Sequence, residues 1–429
     1  MVIYPAKQVG QLIKRYRLEQ NMSQETLCKG ICAISYLSKI ESGLVMANEE
    51  IILALFKALH INYITNDNFL ALGKDSLAAF FKAYFFQYTD ECKRLFNLLE
   101  EHEEDYLFSP LMIDYLLAKV YDSSLHSTPV AIDRTIDILK ELSLYEQTLS
   151  PEQYFYFLYL QGFIAIHFTK DYDSAINLLK TANGIRQTPA GLALLSDCYF
   201  AKGLYPLSID VNEEAFQLAI REGNIFWALN SCITQAGSYS NMKNPFLMLK
   251  YYNRALNLCE GIGDLYYKES IYYNLGATYL TLKDYQIALS YCLKSLALAQ
   301  LNHNTNVSLY HKLALIYIEL HTPEEAKAYL SLAYKDLERD EETCKTCMKE
   351  ALDLVALRIK DKNYLYNPEY LYLLEYVYKH IENDYHFGFK QFHGDYLITC
   401  YKANRRYKDA LRITEELYLP SSDFLKYTY

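Results

Sequence analysis

Apolar residues recur along most of the chain at intervals of three and four, the period of a helix with one buried face. The pattern is clearest over residues 272–298, YYNLGATYLTLKDYQIALSYCLKSLAL. Two amphipathic helices fit it, Tyr272–Lys283 and Tyr285–Leu298, joined at Asp284. Leu275, Tyr279 and Leu282 fill the seam, while Gly276, Ala288 and Ser295 are small enough to let the helices approach closely. The arrangement returns at 156–183, 190–217, 230–257, 308–335 and about 392–418. In 156–183, Phe163 stands where a small residue is expected. Ser196, Ala236, Gly276 and Ala314 are 38–40 residues apart. One hairpin cannot bury its apolar face alone, so its neighbours must stack on it.

These landmarks resemble a tetratricopeptide repeat, with a period somewhat longer than the usual ~34 residues. Residues 95–142 form a degenerate copy and 341–385 two further helices, giving about seven to eight hairpins. The first helix of each hairpin lines the concave face of such an array. Gln161, His167 and Asp197 are inward candidates, followed by Asn230, Thr234 and Asn241, then Tyr273 and Asn274, then His311, Lys312 and Glu319. An Asn amide both donates and accepts, which suits holding an extended peptide backbone. Lys312 suits a ligand carboxylate.

Residues 7–60 are patterned differently. Lys7–Gln20 places Val9, Leu12, Ile13 and Tyr16 on one helical face. Ser23 caps a short second helix that stops near Gly30. A third helix, Ala33–Ser42, ends at Gly43, and Asn48 caps a fourth, Glu49–His60. The string SQETLCKGICAISYLSKIESG resembles the Cro/repressor-like helix-turn-helix. In that family the second helix of the motif enters the major groove. The resemblance makes Ala33, Ser35, Tyr36 and Lys39 groove-facing candidates and gives Gln24 a contact from the preceding helix. Lys14, Arg15, Arg17 and Lys39 are candidates for phosphates, and Glu41 for an internal pair with Arg15 or Arg17. Ala33 and Ile34 stand where the family favours Gln or Asn, so base reading rests on Ser35, Tyr36, methyl contacts and DNA shape.

Charge supports this division. Residues 1–65 carry seven Lys/Arg and five Asp/Glu, a balance of +2, while the remainder carries 35 against 47, or −12. A small basic domain joined to an acidic body suits a polyanion met at one end. The 43 tyrosines suit helix seams and contact surface. No membrane-length apolar run or signal peptide stands out, and the ten scattered cysteines suit a reduced, cytoplasmic protein. No Gly-rich phosphate loop, metalloprotease helix or nucleophile elbow occurs, so no catalytic residue, cofactor or metal is expected. Cys344 and Cys347 make an isolated CxxC that lacks a second ligand pair.

The expected architecture is all-α: an N-terminal helix-turn-helix domain (1–65), a linker helix (66–90), then a right-handed superhelical array of repeats (91–429). That order of domains resembles the peptide-responsive regulators grouped as RRNPP, particularly the PlcR-like and NprR-like members. The resemblance implies a homodimer, a double-stranded DNA operator, a short signalling peptide and no role at a membrane. Two other classes fit less of the chain: a peptide-independent regulator whose repeats only dimerise or hold proteins, and a repeat protein that inhibits partner proteins.

Overall fold

The computed structural model describes residues 6–124, 129–242, 244–262, 265–300, 306–339, 347–380 and 387–418, and every regular element among them is helical. The chain divides into two compact units, Met1–Ala228 and Leu229–Tyr429. The first opens with four short helices, α1 (Ala6–Glu19), α2 (Gln24–Cys28), α3 (Ile34–Glu41) and α4 (Glu49–Ala58). It continues with α5 (Asp67–Phe85), α6 (Thr89–Glu100), α7 (Glu103–Leu107), α8 (Met112–Ser124) and α9 (Pro129–Ser143). Two hairpins follow, α10 (Pro151–Ile164) with α11 (Tyr172–Ile185), and α12 (Pro189–Ala201) with α13 (Tyr205–Glu222). Helix α14 (Ile225–Asn241) runs into the second unit, which adds α15 (Pro245–Ile262), α16 (Leu265–Thr281) and α17 (Tyr285–Ala299). The rest is α18 (Val307–Glu319), α19 (Pro323–Leu337), α20 (Met348–Lys360), α21 (Pro368–His380), α22 (Phe387–Ala403) and α23 (Tyr407–Tyr418).

Small residues set the distance between paired helices. A β-carbon added to Gly276 on α16 would lie 2.5 Å from the Cys292 sulfur and 3.2 Å from the Cys292 backbone nitrogen on α17. Ala288 is fully buried in the same seam. The hairpin of α10 and α11 solves the problem one residue earlier. A single π-helical turn over Ala165–Thr169 adds a residue before the bend. Gly162, rather than Phe163, therefore meets the partner helix, its would-be β-carbon 2.8 Å from Leu179 Cγ.

Tyrosines close the second unit's hairpins. Tyr239 stacks on Tyr251, Tyr279 on Tyr291 and Tyr317 on Tyr329, with ring centroids 5.4, 5.7 and 5.5 Å apart. Each pair joins the first helix of a hairpin to its second, which uses part of the high tyrosine content. The bends share a backbone device too. Lys170, Gly203, Lys283, His321 and Arg405 all adopt left-handed φ, from 55° to 73°. Asp171 and Asp284 follow two of them and cap the next helix, accepting from Ser174 N at 3.1 Å and Ile287 N at 3.3 Å.

Two boundaries differ from expectation. The linker helix expected over 66–90 ends at Phe85: α5 starts at Asp67 behind an Asn66 cap, and α6 starts anew at Thr89. Gly73, a loop signal in sequence, is a packing residue here: a β-carbon would lie 2.6 Å from Leu111 Cδ1. Helix α16 likewise begins at Leu265, seven residues before the expected Tyr272. Cys347 lies buried just before α20 rather than within a helix, and Cys344 lies outside the described residues. None of the nine described cysteines forms a disulfide.

Replacing Gly276 by Val should destabilise the array by ~1–3 kcal/mol, the cost of overpacking a filled seam. Urea unfolding measures it. Truncating the neighbour as well (Cys292→Ala) should recover part of the loss, and no recovery would show that the contact is not the cause.

Candidate functional site

The helix-turn-helix is built from local signals. Ser23 accepts from Thr26 N at 3.0 Å and starts α2. Gly30, at φ +79°, turns the chain toward α3. Gly43, at φ +71°, ends α3, and a β-carbon there would strike Lys7 Cα at 2.6 Å. The core of the unit is Leu12, Ile13, Leu27, Leu37, Ile40, Leu55 and Phe56, all buried.

One polar group lies inside this core. Glu41 is 4% exposed and receives Arg17 in a two-pronged pair, Nε to Oε1 at 2.6 Å and Nη2 to Oε2 at 2.9 Å. Arg17 Nη1 donates to the Met22 carbonyl at 2.8 Å, and Gln24 Nε2 donates to Glu41 Oε2 at 2.8 Å. Glu41 stabilises the Arg17 cation and shifts its proton equilibrium further upward. Arg17 is thus a buried structural cation and not a phosphate ligand. Gln24, half-buried, uses one amide N–H on Glu41. Arg15 is also engaged: it pairs with Glu19 at 2.8 Å and with Glu141 on α9. Its place as a phosphate contact gives way to this seam between α1 and the body of the first unit. Lys7 donating to Gln147 Oε1 and Gln8 to the Thr148 carbonyl, both at 3.1 Å, belong to the same seam.

The other candidates remain accessible. Ala33, Ile34, Ser35, Ser38 and Lys39 are exposed on α3, Lys14 and Lys29 are exposed nearby, and Tyr36 is half-buried. The outward face of α3 presents methyl groups, hydroxyls and an ammonium. Its one carboxylate, Glu41, is turned inward.

The inward row of the repeats is described unit by unit. In the first, Gln161 is half-buried on α10, and His167 is exposed in the π-helical turn. Asp197 is half-buried on α12, with no hydrogen-bond partner among the described residues. Loss of hydration raises its carboxyl from the ordinary 3.8 to about 7. In the second, Asn230, Thr234, Tyr273 and Asn274 are half-buried. Asn230 Oδ1 is buried and unpaired among the described residues. Asn241 is exposed and donates to the Gly237 carbonyl at 3.0 Å.

His311 and Lys312 depart from expectation. They are 0% and 4% exposed and do not lie on an open face. Lys312 Nζ donates to the Tyr273 hydroxyl at 2.5 Å and sits 4.3 Å from that ring's centroid. Helices α16 and α20 pack on α18, and α22 packs back onto α16. Its His393 stacks parallel to His311 at 6.0 Å. Burial, then His393 and Lys312, keep the His311 imidazole well below its usual range, hence neutral. Next to them, Glu319 accepts from the Tyr396 hydroxyl of α22 and from Arg358 Nη2, the latter at 2.5 Å. Arg358, His393 and Tyr396 escaped the sequence reading, because no local pattern marks a contact between α18 and helices 40 to 80 residues later.

Two further facts concern chemistry. Among the described residues no group of three His, Cys, Asp or Glu is placed to hold a metal ion. No described helix is long and apolar enough to cross a membrane.

Residues 13–63 match the helix-turn-helix family, while 224–300 and 307–335 match tetratricopeptide repeat families. No curated protein matches the sequence. Among solved structures, the apo form of the quorum sensor NprR from B. thuringiensis aligns with TM-score 0.60 and 17% identity, over 82% of this chain and 99% of that one. The apo form of RapI aligns with TM-score 0.61 and 12% identity, over 81% and 97%. NprR in complex with its cognate peptide NprX aligns with TM-score 0.51 and 18% identity, over 80% and 99%. The chain thus joins a helix-turn-helix to tetratricopeptide-like repeats in the fold shared by NprR and Rap proteins.

Replacing Glu41 by Gln leaves Arg17 buried without a counter-charge and should cost ~3–5 kcal/mol. Faster hydrogen exchange over residues 6–60, with the repeats unchanged, is the expected readout. Asp197 gives a pH prediction. Its folded carboxyl holds a proton up to about 7, whereas the unfolded group releases it near 3.8. The native state therefore binds more protons between these values, and stability falls as pH rises through that window. Asp197→Asn should flatten the slope there; an unchanged pH profile would show that the carboxyl is not desolvated.

Proposed function

We propose that this chain is a cytoplasmic, DNA-binding transcriptional regulator. Its repeats sense a short signalling peptide, and it acts as a homodimer on a double-stranded operator. Residues 1–65 are the DNA-binding part, 66–90 the connecting helix and 91–429 the peptide-binding and dimerisation part. The observation that carries this reading is the joining of a helix-turn-helix, with an acid-free outward α3 face, to repeats in the fold of NprR. The NprR structure with its cognate peptide supports extending peptide binding to this chain.

In the proposed mechanism, α3 enters the major groove with Ala33, Ser35, Tyr36 and Lys39 toward the bases and their phosphates. Asn230, Thr234 and Asn274 hold the peptide backbone, and the unpaired Oδ1 of Asn230 accepts a backbone N–H. Asn241 extends the row within the second unit, and Gln161 and Asp197 are peptide-contact candidates within the first. Lys312 takes a peptide carboxylate only if that group displaces the Tyr273 hydroxyl, and His311 is reached only if α22 moves. Peptide binding therefore favours a conformation with α22 displaced, and operator affinity changes with that population.

A second reading, a peptide-independent regulator whose repeats only dimerise, has one observation in its favour: His311 and Lys312 are already buried, against His393 of α22 and Tyr273 of α16. Selection of a random short-peptide library on the full chain separates the two. The first reading expects enriched peptides whose affinity falls about 10-fold or more in Asn230→Ala, the loss of a buried polar contact worth ~1.5 kcal/mol or more. A chain that enriches no peptide yet retains specific DNA establishes the second.

A further inference from the structure

We propose that Ile34 is a specificity determinant that reads a thymine methyl group in the operator. The proposal rests on the DNA-binding reading above and names the base which that surface selects.

Ile34 is the first residue of α3, and its side chain is 46% exposed. The other large apolar residues of this helix, Leu37 and Ile40, are 0% and 2% exposed. Burial of the core therefore does not account for an isoleucine at this position. Local helix formation does not either. Ala33, the N-cap, makes no side-chain cap bond, and Ile is β-branched, a poorer helix former than Leu or Ala. Two successive positions at the tip of the helix thus carry only methyl groups toward solvent, where Ser, Asn or Asp would stabilise the turn.

The neighbours narrow the chemistry of what these methyl groups meet. Ser35, Ser38 and Lys39 share the exposed side of α3, while Glu41 is held inward by Arg17. A face with an ammonium, hydroxyls and no carboxylate suits a polyanion. The tip itself offers no side-chain hydrogen bond. In the major groove, guanine, adenine and cytosine display donors or acceptors there, and thymine adds an apolar C5 methyl. An isoleucine and an alanine at the tip match that methyl and leave the polar edges of the other bases unsatisfied.

The test uses the full chain and a pool of randomised duplex DNA. Retained duplexes are sequenced, and the best is resynthesised with uracil replacing each thymine in turn, which removes only the methyl. One replacement should weaken binding by roughly fourfold, the worth of one buried methyl. The same replacement should have little effect on Ile34→Ala, whose thermal unfolding should match the parent because the side chain is exposed. Ile34→Gln should move the preference at that position to adenine. Uracil duplexes that all bind like the parent, or a loss that persists in Ile34→Ala, would overturn the proposal while leaving DNA binding intact. A chain that retains no duplex overturns the DNA-binding reading, and this proposal with it.

Discussion

The distance at which two helices can pack governs this molecule. Where α1 crosses α3, a β-carbon on Gly10 would lie 1.8 Å from the Ile40 carbonyl oxygen. Gly162 against Leu179 and Gly276 against Cys292 repeat that condition in the hairpins. Ser196 meets it with a polar contact: its hydroxyl donates to the Ser208 carbonyl at 2.9 Å, from a fully buried position. Backbones this close leave no room for water, so a polar group in a seam depends on partners inside it. The same closeness sets α3 at a fixed angle to α1, and so fixes which residues of α3 face outward.

Buried cations follow from that constraint. Arg17, Lys312 and Arg358 each lie where hydration is lost, and each has a dedicated partner: Glu41, the Tyr273 hydroxyl and Glu319. Such pairs contribute little net stability, since desolvation offsets most of the attraction, but breaking one side is costly. Their effect is to exclude alternative packings. The Arg17 pair also withdraws the Glu41 carboxylate from a face that would otherwise repel phosphate.

What the sequence revealed and what it concealed divide along contact range. The helix-turn-helix was legible because its determinants are local: the Ser23 and Asn48 caps, Gly30 and Gly43 with positive φ, and the apolar periods between them. The hairpins were legible through landmarks about 40 residues apart, including Tyr239, Tyr279 and Tyr317, which stack on residues twelve positions later. The sequence suggests a Glu41 pair but not which arginine it takes, because Glu141 and Glu41 reach Arg15 and Arg17 only through tertiary packing. The π-helical turn that substitutes Gly162 for Phe163 has no composition cue. The return of α22 onto α16 joins helices with five others between them in sequence, which no single repeat encodes.

That return changes what a ligand must do in the second unit. An open concave surface binds with the free energy of its contacts alone. Here the inner side of α18 is already occupied by the chain's own groups: His393 lies on His311, Tyr396 on Glu319, and the Tyr273 hydroxyl on Lys312. A group that binds equally well with α22 docked or displaced shifts nothing, however tight its binding. Only a ligand with contacts available solely in the displaced state can drive the change. In the proposed mechanism Lys312 supplies a contact once it leaves the Tyr273 hydroxyl of α16, because a carboxylate binds an ammonium more strongly than a neutral phenol does. In the proposed mechanism, the charge of the incoming group, more than its bulk, therefore decides whether Lys312 leaves the Tyr273 hydroxyl.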